Sequence, residues 1–210
     1  MKKFPLLLAV VSALVVPTAL VAAPVTVTLQ VAPTLVTYGG AVTLSGAIST
    51  KRTGQSISVS GQDCGQNGSK KVATVTTTTN GAYTASAKPT INTTYTAKYK
   101  GSTSPGVLVK VRPQLKLQRV AAGKFTASAT AAQSFVGKYV ALQRYKSSVR
   151  KYVTVKKVTF TKVTPATAPT QISVVNFRLK IKRGTKLRIS MPRAQAGTCY
   201  APGNSPSVKA

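Results

Sequence analysis

The chain reads as an all-β protein made of two β-sandwiches in series, and three observations predict this. From Val25 to Lys209 no stretch repeats its apolar residues with the period of an amphipathic helix, and Val, Thr, Ser, Tyr and Gly dominate instead. Short runs alternate apolar and polar residues with a period of two, and turn residues punctuate them about every eight to twelve positions, the spacing of sandwich strands. The pattern breaks at Arg112-Pro113 and then starts again, which divides the chain into residues 24–111 and 112–210.

The first residues stand outside this fold. Lys2 and Lys3 precede the apolar run Leu6 to Val16, and small residues at Ala19, Ala22 and Ala23 follow Pro17. That order is the signature of a secretory signal peptide over residues 1–23, so a secreted, extracellular or envelope-associated protein is expected. A retained anchor over Phe4 to Ala23 is the competing reading, and Pro5, Pro17 and the small-residue end count against it.

Val25 to Val31 alternates with Thr, and Tyr38-Gly39-Gly40 turns the chain into Ala41 to Ser49, where Val42, Leu44 and Ile48 share a side. Gly54 opens Ile57 and Val59, and a loop from Gly61 to Ser69 leads to Val72 to Thr77. Asn80-Gly81 predicts a hairpin, since both central residues of a type I′ turn need positive φ. Ala82 to Ala87, Thr93 to Tyr99 and Val107 to Val111 complete the first set of strands. The second set is Leu115 and Leu117, Phe125 to Thr130, Val140 and Leu142 after Gly137, and Tyr152 to Thr161. It ends in a predicted hairpin, Ser173 to Met191, turning at Arg183-Gly184-Thr185.

The two sets can be laid over one another. Gly54 to Val59 matches Gly137 to Leu142, Tyr83 falls on Phe177, and Tyr95 to Tyr99 falls on Leu187 to Met191. The linking Val111-Arg112-Pro113 is too short to be flexible, and Pro113 biases Arg112 toward an extended backbone, so a stiff connection is expected.

Composition narrows the function. The sequence has 30 Lys and Arg, one acidic residue and no His, for a net charge of +29. Acid–base catalysis near neutral pH relies mostly on His or a tuned carboxylate, and glycoside hydrolysis needs two carboxyl groups. Zinc and calcium sites need clustered Cys, His or acidic ligands. The expectation is therefore a non-enzyme with no cofactor, no metal and no small-molecule substrate.

Tyr38-Gly39-Gly40 before Val42-Thr43-Leu44-Ser45-Gly46, the turn Asn80-Gly81-Ala82-Tyr83, and Asn92-Thr93-Thr94-Tyr95-Thr96-Ala97 together resemble tandem immunoglobulin-like modules of secreted bacterial proteins. The likeness covers Val25 to Val111 well and Gln114 to Lys209 more loosely, because Leu187 stands where the strand-F Tyr is expected. It implies two immunoglobulin-like sandwiches. It makes the first motif the turn into strand B, the second the turn into strand E, and the third the start of strand F, whose phenol can bond the preceding corner. Such modules commonly serve as surface spacers, adhesive domains or binding modules.

The charge is uneven: eight Lys or Arg and Asp63 lie between Pro24 and Val111, against twenty cations and no acid between Arg112 and Ala210. The second half is expected to face a polyanion, such as an anionic envelope polymer or acidic polysaccharide. Nonspecific binding to nucleic acid or to anionic membrane follows from the same charge. The candidate residues are Arg178, Lys180, Lys182, Lys186 and Arg188 on one face of the hairpin, joined by Arg144, Arg150, Lys151 and Lys156. Lys146 and Lys157 lie near them, and Tyr139, Tyr145 and Tyr152 interleave with the cations. The reading is an adhesion-type or envelope protein, with a soluble polyanion-binding module as the alternative.

Two cysteines, the smallest number that allows a bridge, in a chain expected to be exported predict a Cys64–Cys199 disulfide. In the implied sandwich topology Cys64 follows strand C of the first module and Cys199 lies in the F–G loop of the second, so both thiols face the junction.

Overall fold

The computed structural model describes residues 24–210, and the expected signal peptide lies outside the described residues. In the N-terminal half the strands are β1 (Gln30–Ala32), β2 (Leu35–Thr37), β3 (Val42–Ala47), β4 (Ser56–Asp63), β5 (Lys70–Thr76), β6 (Ala82–Ala87), β7 (Thr93–Tyr99), β8 (Ser102–Thr103) and β9 (Val107–Arg112). They form one sheet in the order β1-β3-β6 and another in the order β2-β9-β7-β4-β5, with β8 also on β7. The C-terminal half has β10 (Gln114–Ala121), β11 (Lys124–Ala131), β12 (Tyr139–Lys146), β13 (Lys151–Thr159), β14 (Lys162–Thr164), β15 (Gln171–Arg178) and β16 (Lys186–Met191). A one-turn helix α1 (Arg193–Ala196) and the short strands β17 (Gly203–Asn204) and β18 (Val208–Lys209) follow. Here the sheets are β10-β11-β15-β14 and β13-β12-β16, with β17 and β18 both on the far side of β16.

In immunoglobulin lettering each half sets strands A, B and E, with D added in the second, against G, F, C and C′. The fold is immunoglobulin-like, and the strand order shows it. Alternation explains the cores. In β7, Thr93, Tyr95, Ala97 and Tyr99 are buried, and Leu187, Ile189 and Met191 do the same in β16. Each large apolar side chain removed from water in this way contributes about 1.5–3 kcal/mol before entropy is counted.

Tyr83 shows how a local motif fixes the packing. Its ring is buried and its phenol donates to the carbonyl of Thr28, passing over Gly46 on the neighbouring strand. A Cβ on Gly46 would lie 2.5 Å from that phenol oxygen and collide with the Thr28 backbone as well. Tyr95, expected to close a corner through its phenol, lies beside Asp63 and Thr93, while Tyr99 reaches Gln55 at 2.8 Å.

The structure corrects three pairings. Ser173 to Met191 is not a hairpin, because β15 lies in the sheet with β11 and β14 while β16 pairs with β12 in the opposite sheet. The alternation itself holds in the structure, where Val175, Leu187 and Ile189 all point into the core. It identifies the inward face of each strand, and two strands facing each other across a core carry the same pattern as two strands side by side. Asn80 and Gly81 do have positive φ, +59° and +71°, but they carry the chain from β5 in one sheet to β6 in the other. Finally, Tyr83 does not correspond to Phe177. Val42 at the start of β3 pairs with Ala87, and Phe125 near the start of β11 pairs with Phe177, so Phe177 corresponds to Ala87.

The other correspondences hold in register. Val59 pairs with Ala97 as Leu142 pairs with Ile189, which aligns Tyr95 with Leu187. The β4–β5 ladder skips Val72 immediately after Val59, and the β12–β13 ladder skips Val155 immediately after Leu142, so both edges carry a bulge at the same place. A further match lies in strand G. Ser104 Oγ accepts the Ala97 amide at 2.9 Å and donates to the Pro105 carbonyl, and Ser205 does the same with Ile189 and Pro206.

The halves meet in a junction rich in directed contacts. Cys64 and Cys199 form the expected disulfide, with Cα atoms 5.4 Å apart. The Asn92 backbone amide donates to the Cys199 carbonyl at 3.1 Å and its Nδ2 donates to the Thr198 carbonyl at 3.3 Å. Its Oδ1 accepts the Val111 amide at 2.8 Å. Tyr200 is buried against Phe135; its phenol donates to the Thr90 carbonyl and accepts the Ala132 amide, at 2.9 and 3.0 Å. Burial pushes that phenol up to about 12. The Ala201 amide adds a bond to the Val111 carbonyl at 2.8 Å. The short link is thus braced on several sides.

Candidate functional site

The outward face of the β13-β12-β16 sheet is set by the residues that bury on the other side. Val140 and Leu142 on β12 and Leu187 and Ile189 on β16 point into the core. Strand alternation therefore sends Tyr139, Gln143 and Tyr145, with Lys186 and Arg188, outward. Arg188 lies opposite Gln143 in the ladder, and its Nε donates to Gln143 Oε1 at 2.8 Å. Its guanidinium carbon sits 3.9 Å from the Tyr152 ring centroid. Tyr152 in turn meets Tyr145 edge to face at 5.3 Å, and Lys157 Nζ lies 4.8 Å from the Tyr139 centroid.

This arrangement holds cations in place without neutralising them. The planar guanidinium is fixed by one hydrogen bond and one ring, which leaves its two terminal nitrogens to meet an oxyanion. Lys186 faces Lys209 directly across the β16–β18 ladder. Like charges opposed on one sheet face repel, and a bound anion would relieve that cost. The sole acidic residue of the sequence, Asp63, belongs to the other half, where it accepts Thr93 Oγ1 at 2.8 Å and lies 4.0 Å from Lys70.

Of the nine cations singled out from the sequence, Lys186 and Arg188 belong to this face. Arg178 sits on the opposite sheet, paired with Lys124, and Lys180 and Lys182 lie on the crossing between the sheets. Lys156 pairs with Leu142 and Arg144 with Leu187, so both occupy inward-facing rows, Lys156 on the edge strand β13 and Arg144 near the end of β12, and both are exposed there. Arg150 and Lys151 mark the turn into β13, where Arg150 has φ +49°. The expected single basic face is therefore divided, because the hairpin on which it rested does not form. Lys209 and Gln143 were missed, and the repeated Ser-Pro-x-Val at Ser104 and Ser205 would have located Lys209 beside Lys186.

No family model matches the chain, and no curated protein matches it. Among solved structures 883 chains match. One, a marsupial T cell receptor, aligns over 89% of this chain and 99% of that chain, at 9% identity and a TM-score of 0.34. The immunoglobulin-like fold stands on strand order and register. Among the described residues no helix is long and apolar enough to cross a membrane.

Proposed function

We propose that this is a non-catalytic, exported protein of the cell envelope or surface, whose C-terminal half attaches to anionic polymers through the outward face of the β13-β12-β16 sheet. The observation that carries the reading is Arg188, held between Gln143 and Tyr152 in a half that has no carboxylate side chain to receive it. Tyrosines beside the cations favour a polymer with rings, since a sugar or base can stack where a simple counterion cannot. The absence of His and of a second acidic residue from the sequence supports a binding role over catalysis. The braced junction supports a spacer that presents this face at a fixed attitude.

Charge reversal on the two sheets separates the face from bulk charge. Lys157, Lys186 and Arg188 changed to Glu, and separately Lys124, Lys162 and Arg178 changed to Glu, remove the same charge from opposite sides of one sandwich. The first set is expected to abolish retention on purified cell walls at moderate salt, while the second lowers it slightly. Equal losses in both sets would mean that net charge alone governs binding and would refute the proposed face.

A further inference from the structure

We propose that the groove at the junction is a second, separate binding site, which takes a short acidic oligosaccharide. The groove encloses about 810 Å³, within the range of small-ligand clefts, and lies between two braced units, a common position for such clefts. It shares no residue with the Tyr152–Arg188 face.

One wall is the outward side of β10 and β11. Gln114 pairs with Thr130 and Lys116 with Ser128, so amide, hydroxyl and ammonium groups stand in a row on one face. The other wall is Thr37, Arg112 and the bulged segment Gly203 to Pro206. The stem of Arg112 runs along Gly203 closely enough that a Cβ there would lie 3.5 Å from Arg112 Cβ and Cδ. Packing of the stem thus directs the guanidinium. Ser205 is already committed to Ile189 and Pro206, which fixes the bulge as a rigid wall. Ser128, Thr130 and Asn204 make no side-chain hydrogen bond to the protein among the described residues, and stay available.

The lining selects the ligand class. Hydroxyls and amides that both donate and accept match the hydroxyls of sugars, and Arg112 with Lys116 provides for a carboxylate or sulfate. The lining has no acid to repel an anion and no aromatic ring, so recognition there rests on hydrogen bonds and on the two cations. The disulfide and the Asn92 and Tyr200 bonds hold the walls at a fixed spacing before any ligand arrives, which lowers the ordering cost of binding.

Calorimetric titration of the full chain at physiological salt with a galacturonate hexamer, a neutral cello-oligosaccharide of the same length, and an oligothymidylate tests the proposal. The galacturonate hexamer is expected to bind more tightly than the other two. Ser128→Trp, which fills the groove, and the milder Arg112→Gln are each expected to weaken it about tenfold or more, a readily resolved change. The titrations are made in an Arg188→Gln background, which removes the contribution of the Tyr152–Arg188 face, and Lys98→Gln, an exposed position outside both sites, should leave the remaining affinity unchanged. Thermal midpoints of the variants check that they fold, and Arg112→Gln carries the test should Ser128→Trp fail to do so. In that background, unchanged affinity in Arg112→Gln, an equal loss in Lys98→Gln, or equal binding of the oligothymidylate would each overturn the proposal.

Discussion

Replacing Cys64 and Cys199 together by Ala tests what holds the halves in one cooperative unit. The bridge closes a sequence separation of 135 residues in the unfolded chain. In the chain-entropy relation, a loop of that length corresponds to about 5 kcal/mol at 25 °C. For a chain of this size each kcal/mol moves the thermal midpoint by about 2–4 °C, so the fall should be roughly 10–20 °C. The unfolded variant is also free to expand, which should raise the denaturant dependence of unfolding. Urea titration followed by far-UV circular dichroism, with calorimetry beside it, reads both quantities. A midpoint within 2 °C of the parent and an unchanged slope would refute the reasoning, because the remaining junction bonds would then be sufficient by themselves.

Asn92→Ala should lower stability by about 2–4 kcal/mol, since it leaves the buried Val111 amide without a partner and removes the bond to the Thr198 carbonyl; calorimetry should show a midpoint loss of roughly 4–16 °C. Gly46→Ala should cost about 1–3 kcal/mol or more by overpacking, and adding Tyr83→Phe should fail to restore it, because the clash with the Thr28 backbone remains. Recovery in that double variant, measured by urea midpoint, would count against the account. Burial pushes Tyr83, Tyr95 and Tyr200 up to about 12 from an ordinary 10. The neutral phenol is the protonated form, so the folded state holds these protons more tightly. The associated stability is complete below about pH 10 and is lost as pH rises through about 12. Absorbance titration of tyrosinate should show these three ionising late, together with unfolding.

Strand positions were legible because alternation is a local signal: Ala82–Ala87 and Thr93–Tyr99 match the sequence reading residue for residue. Pairing was less so. Nothing local in Ser173 to Met191 distinguishes neighbours in one sheet from partners across a core, and the long Leu179 to Thr185 connection has the composition of a strand extension and a turn. The disulfide is legible because it depends only on which end of a sandwich a loop occupies, and the phase of β4 and β16 identifies them as strands C and F. The basic face was half legible, since Arg188 and Lys186 follow from the phase of β16 whereas Lys209 lies on a two-residue strand too short to alternate. The groove was invisible, because segments near residues 112–118, 128–130 and 203–206 meet only after folding.

The matching bulges at Val72 and Val155 bear on crowding. Each lies on the outermost strand of its sheet, β5 or β13, beside exposed lysines at Lys70 and Lys71 or Lys156 and Lys157. A bulge twists a free edge out of line, and lysines along it repel an incoming strand. These two edges are therefore poor templates for a strand of a neighbouring copy, however closely the copies are crowded.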